Sequence, residues 1–195
     1  MHAVLEFLER TPLRWYFAIA LGVLVVQAAV LYAMGQLPIC ECGYVKLWHG
    51  VVFSPENSQH IADWYTLSHF VHGVAFYFLL WLAVPKMPVG LRFLLALGIE
   101  AAWELFENTD FIINRYRETA LALDYFGDSI VNSVADTVAM IIGFIFAHRT
   151  GVWVSLTLIL MLELLALYFI RDNLLLNVIN LLHPLEFIQS WQGAL

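Results

Sequence analysis

Two apolar runs in this chain carry acids where acids are costly, and that combination limits the possible folds more than any other feature. The run LRFLLALGIEAAWELFEN holds Glu100, Glu104 and Glu107, and the run DSIVNSVADTVAMIIGFIFA holds Asp128, Asn132 and Asp136. Residues spaced this way recur on one side of an α-helix, so each trio makes a polar stripe on one face. A charge at the bilayer centre costs about 2.5 to 3.5 kcal/mol on insertion scales, so two such stripes are expected to face each other inside a bundle, at a site.

The remaining residues place that bundle in a membrane. The chain has 195 residues, 62% hydrophobic and 13% charged, and its mean hydropathy of +0.77 is too high for a water-soluble domain of this size. With 9 Lys and Arg against 16 Asp and Glu, and no basic cluster, nothing is available to neutralise a polynucleotide backbone, which argues against nucleic acid as a partner. The apolar run after Arg10 and Arg14 is too long for a signal peptide and lacks a cleavage site. It reads as a retained anchor.

Hydropathy and breakers together predict an all-α, polytopic integral membrane protein with a single membrane domain over residues 1–195. Five spans are expected at about residues 15–34, 64–84, 91–106, 129–147 and 152–170. Residues 1–14 read as a short amphipathic lead-in, residues 35–63 as a polar cap loop, and residues 173–183, with Asn173, Asn177 and Asn180 on one face, as an interfacial helix ended by Pro184. Lys and Arg near the span ends favour a cytoplasmic N-terminus and extracytoplasmic polar loops. Gln27 and Glu163, single polar residues in their spans, read as packing contacts.

Under that topology the acidic stripes lie at similar depth, and antiparallel neighbours pair Glu107 with Asp128, Glu104 with Asn132 and Glu100 with Asp136. His69 and His72 open the second span on the same side. Carboxylates this close cannot all stay ionised in a low dielectric, so they must be protonated, bind a cation, or meet Arg115 or Arg117. The first alternative makes Glu104, Glu107, Asp128, Asp136, His69 and His72 candidate acid/base residues. The second makes His69, His72, Glu104 and Asp128 candidate ligands for a divalent metal, a mixed nitrogen and oxygen set suited to Zn, Mn or Fe. Arg115, Arg117, Asn132, His60 and Asp63 are candidate substrate contacts. Cys40 and Cys42 read as a structural loop pair, a strained redox-active bridge, or soft-metal ligands with His49 or His60.

The order SHFVHGVAFYFLL, GIEAAWELFEN, RYR and GDSIVNSVADTVAMIIGF resembles VanZ-like membrane proteins over about Ser68 to Ala147. The matching positions are His69, Glu100 or Glu104, Arg115, Asp128, Asn132 and Gly143. The strings CECGYVKLWHG and ENSQHIADWYT extend a closer resemblance, over most of the chain, to an uncharacterised family of bacterial multi-pass inner-membrane proteins. The closer resemblance implies a bacterial inner-membrane location and no particular activity. VanZ-like proteins are linked to resistance to cell-wall-directed glycopeptides, but the extra carboxylates, the second His and the Cys-containing loop depart from their pattern.

These readings converge on an inner-membrane protein whose partners are membrane lipids, and whose site takes a lipid or lipid-linked envelope substrate. The alternatives are a cation- or proton-coupled binder or transporter, and a structural or assembly protein.

Overall fold

A computed structural model of the protein describes residues 11–118 and 124–194. The amphipathic lead-in expected at the N-terminus falls mainly on residues 1–10, outside the described residues. Among the described residues every regular element is helical: α1 Leu13–Met34, α2 Thr66–Ala83, α3 Val89–Glu107, α4 Asp110–Arg117, α5 Ile130–Arg149, α6 Val152–Ile170, α7 Leu174–Leu182 and α8 Glu186–Gln192. Prolines and glycines set several of the boundaries. Pro12 and Pro88 stand immediately before α1 and α3, and Gly35, at φ 96°, ends α1 in the left-handed conformation that glycine adopts without strain.

Helices α1, α2, α5 and α6 are long and apolar enough to cross a membrane, and the protein is an all-α, polytopic membrane protein. Helix α3 has 19 residues, as many as α6, yet carries Arg92, Glu100, Glu104 and Glu107. Arg92, Glu100 and Glu104 are buried in the bundle, while Leu95, Ile99 and Phe106 are exposed. The charges of α3 thus turn inward and its outer face is apolar.

Helices α2 and α5 form the most extensive pairing. A Cβ added at Gly73 would overlap the backbone of Met140 and Phe144, and one at Gly143 would overlap the carbonyl of Phe70. The two backbones therefore touch across paired glycines, the close approach that small residues permit between membrane helices. Ala20, Ala96, Leu97, Met140 and Phe144 form the apolar core where α1, α3 and α5 meet. Gln27 anchors α1 to α5: its amide donates to Ser133 Oγ at 2.9 Å and its carbonyl accepts from Thr137 at 2.9 Å.

The polar connections gather at one end of the bundle. Residues 35–63 are sewn to the start of α5, where the N–H groups of Ser129, Ile130 and Val131 donate to the carbonyls of Ser58, Leu37 and Pro38. Ser129 caps α5 by accepting from the Asn132 N–H, so its hydroxyl serves the helix start. Inside the cap Glu56 accepts from Lys46 at 2.6 Å, Tyr44 at 2.9 Å and a ring nitrogen of His60 at 3.0 Å. The hydrogen bond from Lys46, followed by those from His60 and Tyr44, holds the Glu56 carboxyl down at about 2. Cys40 and Cys42 are joined to each other in a disulfide, so the sulfurs are not the thiolates a soft metal needs.

Helix α7 has 9 residues, about 14 Å of helix against a hydrocarbon thickness of about 30 Å, too short to cross. Its asparagines face the protein: Asn173 caps the helix, Asn177 accepts from Tyr116, and Asn180 donates to Gln192. Glu163, the single acid of α6, accepts from the N–H groups of Leu174 and Leu175 at the start of α7, where a negative charge suits the unpaired amides.

Gly143→Ala forces α2 and α5 apart at a backbone contact and should destabilise the protein by at least about 1 to 3 kcal/mol. Gly98→Ala, where nothing lies within 4 Å of an added Cβ, should be neutral or stabilising by up to about 1 kcal/mol. Thermal midpoints of the purified variants in detergent distinguish the two sites.

Candidate functional site

Helix α2 carries His69 and His72 one turn apart, and the close α2–α5 crossing brings this face against α3 and α5. His69 Nδ1 lies 2.6 Å from Glu100 Oε1, and His72 Nδ1 lies 3.1 Å from Glu100 Oε2. One carboxylate thus holds two imidazoles by the same ring atom, and Glu100 itself is wholly buried. With both Nδ1 atoms engaged, Nε2 is the reactive nitrogen of each ring. His69 Nε2 faces Asp136, whose Oδ2 is 3.9 Å away, beyond hydrogen-bond length.

Glu104 Oε1 lies 3.1 Å from His69 Nδ1, but off the N–H direction, so this oxygen has no hydrogen bond. Its Oε2 accepts from Ser133 Oγ at 2.7 Å. Glu107 Oε2 and Asp136 Oδ1 are likewise buried without a hydrogen-bond partner. Asp128, by contrast, is fully engaged: Oδ1 accepts from Tyr125 at 2.9 Å, Oδ2 from Asn108 at 3.0 Å, and its N–H donates to Asn108 Oδ1 at 2.7 Å. Burial raises Asp128 to about 6 despite those two side-chain hydrogen bonds.

The antiparallel pairing expected from the sequence needs correction. Ser133 rather than Asn132 meets Glu104, and Asn132 donates instead to the His60 carbonyl in the cap at 2.8 Å. Glu100 and Asp136 do not pair directly, because His69 stands between them. Arg115 donates to the Leu181 carbonyl and to Glu118, and Arg117 to the Tyr125 carbonyl. Among the described residues neither forms an ion pair with the site acids. His60 and Asp63, expected to touch substrate, are buried in the cap: Asp63 accepts from the N–H groups of Ser58, Tyr65 and Thr66, a loop-to-helix junction.

Two three-residue groups can hold a metal, His69 with His72 and Glu100, and His69 with Glu104 and Glu107, with ligand atoms within 4.8 Å of one another. Asp128, placed in the ligand set by the sequence reading, belongs to neither. Among the described residues two further groups lie in the cap, His49 with Glu56 and His60, and Cys40 with Cys42 and His60, the second of which is closed to a metal by the Cys40–Cys42 disulfide.

Two adjoining cavities share Tyr65, His69, Glu107, Tyr116 and Asn177 in their walls. The smaller, of about 50 Å³, is polar and is bounded by Asp128, Asp136, Asp172, Asn180 and Gln192. The larger, of about 220 Å³, is bounded by Phe76, Ile99, Trp103, Leu174, Val178 and Leu181. The sequence reading missed Asp172, Tyr116, Tyr125 and Gln192. Tyr116 had a local signal, because Ile112, Ile113 and Tyr116 share the buried face of α4. Asp172 had none, since an acid just past a span reads as an interfacial residue.

A helical membrane bundle with a buried histidine and carboxylate cluster, closed by a polar cap and a short terminal helix, defines the class of protein. The chain belongs to the family described as a protein of unknown function (DUF2585), whose model matches residues 31–194. It is similar to a UPF0314 protein of Brucella anthropi, 57% identical over 91% of this chain and 90% of the relative. A UPF0314 protein of Agrobacterium fabrum is 52% identical over 94% and 92%, and one of Paracoccus denitrificans 51% identical over 89% and 90%. No solved structure matches the chain.

Asp172 gives the site a pH signature. It accepts from Tyr65 and Gln192, and burial raises it from 3.8 to about 7. The folded protein therefore keeps a proton that the unfolded chain releases, and this contribution is full below about pH 4 and lost as pH rises through about 7. Its slope is at most about 1.4 kcal/mol per pH unit. Asp172→Asn should flatten the fall in thermal midpoint between pH 5 and pH 8, and a profile parallel to the wild type would contradict the assignment.

Proposed function

We propose that the protein is an enzyme of the bacterial cell envelope that acts on a lipid or lipid-linked molecule by acid/base chemistry at the His69 cluster. The observation that carries this reading is the meeting of the two cavities at His69 and Glu107. An amphiphile has the same division. Its polar group fits the side bounded by Asp128, Asp136 and Asp172, and its apolar part lies along Phe76, Ile99 and Trp103 between α2, α3 and α7.

In this reading α1, α2, α3, α5 and α6 cross the inner membrane, with the N-terminus cytoplasmic. Arg10, Arg14, Lys86, Arg92 and Arg149 then fall on the cytoplasmic side against Lys46, Arg115, Arg117 and Arg171 on the other, a majority of one in the direction of the positive-inside rule. The cap and the cluster face the extracytoplasmic side. Glu107 and Asp136, each with a free buried oxygen, are placed to take a proton from a water or a substrate hydroxyl. His72, held by Glu100 and bordering the larger cavity, is placed to return one to a leaving group. Tyr116 and Tyr125 border the polar cavity as hydroxyl contacts for the headgroup.

The experiment is complementation of a deletion strain, read by extraction and mass analysis of its envelope lipids. The wild-type chain should restore the profile. His69→Gln and Glu107→Gln, present in the membrane at wild-type level, should leave the deletion profile, with conversion lower by at least about a hundredfold. Full restoration by both variants, or a deletion that changes no lipid, would contradict an enzyme of this kind.

A further inference from the structure

Glu100, Glu104, Glu107, Asp128 and Asp136 surround His69 and His72 at the end of the bundle, and among the described residues no Lys or Arg is paired with any of them. Three buried oxygens in this group, Glu104 Oε1, Glu107 Oε2 and Asp136 Oδ1, have no hydrogen-bond partner. Burying polar oxygens without partners is costly, and burying several negative charges together costs more. Protonation removes charge, but each new hydroxyl then needs an acceptor. A cation satisfies both demands.

We propose that His69, Glu104 and Glu107 hold a divalent transition-metal ion, with Asp136 as a further oxygen ligand and Glu100 orienting the histidine. The ligand atoms of His69, Glu104 and Glu107 lie within 4.8 Å of one another, and Glu104 is wholly buried. Asp136 Oδ2 stands 3.9 Å from His69 Nε2, the nitrogen left for the ion, whereas Glu104 Oε1 stands 3.1 Å from Nδ1 and has to turn past the ring edge to join it. The bond from His69 Nδ1 to Glu100 at 2.6 Å reproduces the carboxylate–histidine pairing that fixes the ring of a metal ligand and raises its basicity. One imidazole with carboxylates is a mixed set that suits Zn²⁺ or Mn²⁺ better than Mg²⁺ or Ca²⁺. An ion held there would border the cavities whose walls His69 and Glu107 share.

The other groups fit a cation less well. In His69, His72 and Glu100 both Nδ1 atoms are already on the two Glu100 oxygens. In the cap, the Lys46 ammonium lies 2.6 Å from Glu56 and 3.2 Å from His49, so a positive charge already occupies that cluster.

This site rests on the enzyme reading and changes one part of it: with a metal bound, Glu107 and Asp136 act by holding the ion rather than by taking the proton themselves, and the ion would activate water and polarise a phosphoryl or carbonyl oxygen, yet the site is measured without any substrate. The full chain, purified in detergent and stripped with chelator, is equilibrated with Zn²⁺, Mn²⁺ or Mg²⁺, and bound metal is counted by elemental analysis beside the thermal midpoint. The expected result is one Zn²⁺ or Mn²⁺ per chain, with a raised midpoint and little retention of Mg²⁺. Glu104→Gln, Glu107→Gln and Glu100→Gln should each weaken binding by at least about tenfold. The cap double variant His49→Ala with Glu56→Gln should bind as the wild type does. Wild-type protein that retains no metal and shows no midpoint change overturns the site whatever the variants do. So does binding that survives in folded Glu104→Gln and Glu107→Gln, or is lost only in the cap variant. Bound metal with an unchanged lipid profile in the deletion strain keeps the site and retires the lipid enzyme; the converse keeps the enzyme and retires the metal.

Discussion

The contact of Glu100 with His69 and His72 is the interaction on which the rest of the bundle depends. A wholly buried carboxylate on a helix with an apolar outer face needs partners from its neighbours, and α2 supplies them as two ring nitrogens one turn apart. That requires α2 to pack close against α5 with its histidine face toward α3. The glycine crossing at Gly73 and Gly143 provides the close approach. Gln27, Ser133 and Thr137 then close the opposite side, so that a hydrogen-bonded chain runs from α1 through Ser133 to Glu104. Apolar packing holds α1, α3 and α5 together, and the polar network fixes their rotation.

The acidic stripes on α3 and α5 were legible because burial cost and helical period act along a single segment, and His69 and His72 were legible for the same reason. The register between helices was not. Whether Asn132 or Ser133 meets Glu104 depends on a rotation of one residue about α5, decided by Ser129 capping that helix and by the cap accepting the Asn132 amide. Arg115 and Arg117 misled because a cation beside buried acids is the obvious counter-charge, whereas α4 turns them to the Leu181 and Tyr125 carbonyls. Asp172 borders the polar cavity and is tied there to Tyr65 and Gln192, both distant in sequence.

The cap and the terminal helices share one task. His60, Asp63 and Asn132 looked like ligand-binding groups because they are polar residues beside a membrane site. The structure commits them to joining the cap to α5 and α2, and α7 closes the remaining side with its asparagines inward. The cavity walls hold His69, Glu107, Asp128, Asp136 and Asp172 on the polar side and a row of apolar side chains from α2, α3 and α7 on the other.

The most direct measurement is the nitrogen NMR spectrum of the His69 ring in protein labelled at histidine, recorded with and without Zn²⁺ and repeated in Glu100→Gln. The expected result is a strongly hydrogen-bonded, protonated Nδ1 that persists on adding Zn²⁺ while the Nε2 resonance moves, and a changed Nδ1 signal in the variant. An Nδ1 signal indifferent to Glu100→Gln, or a ring whose Nδ1 loses its proton while Nε2 keeps one, would contradict it.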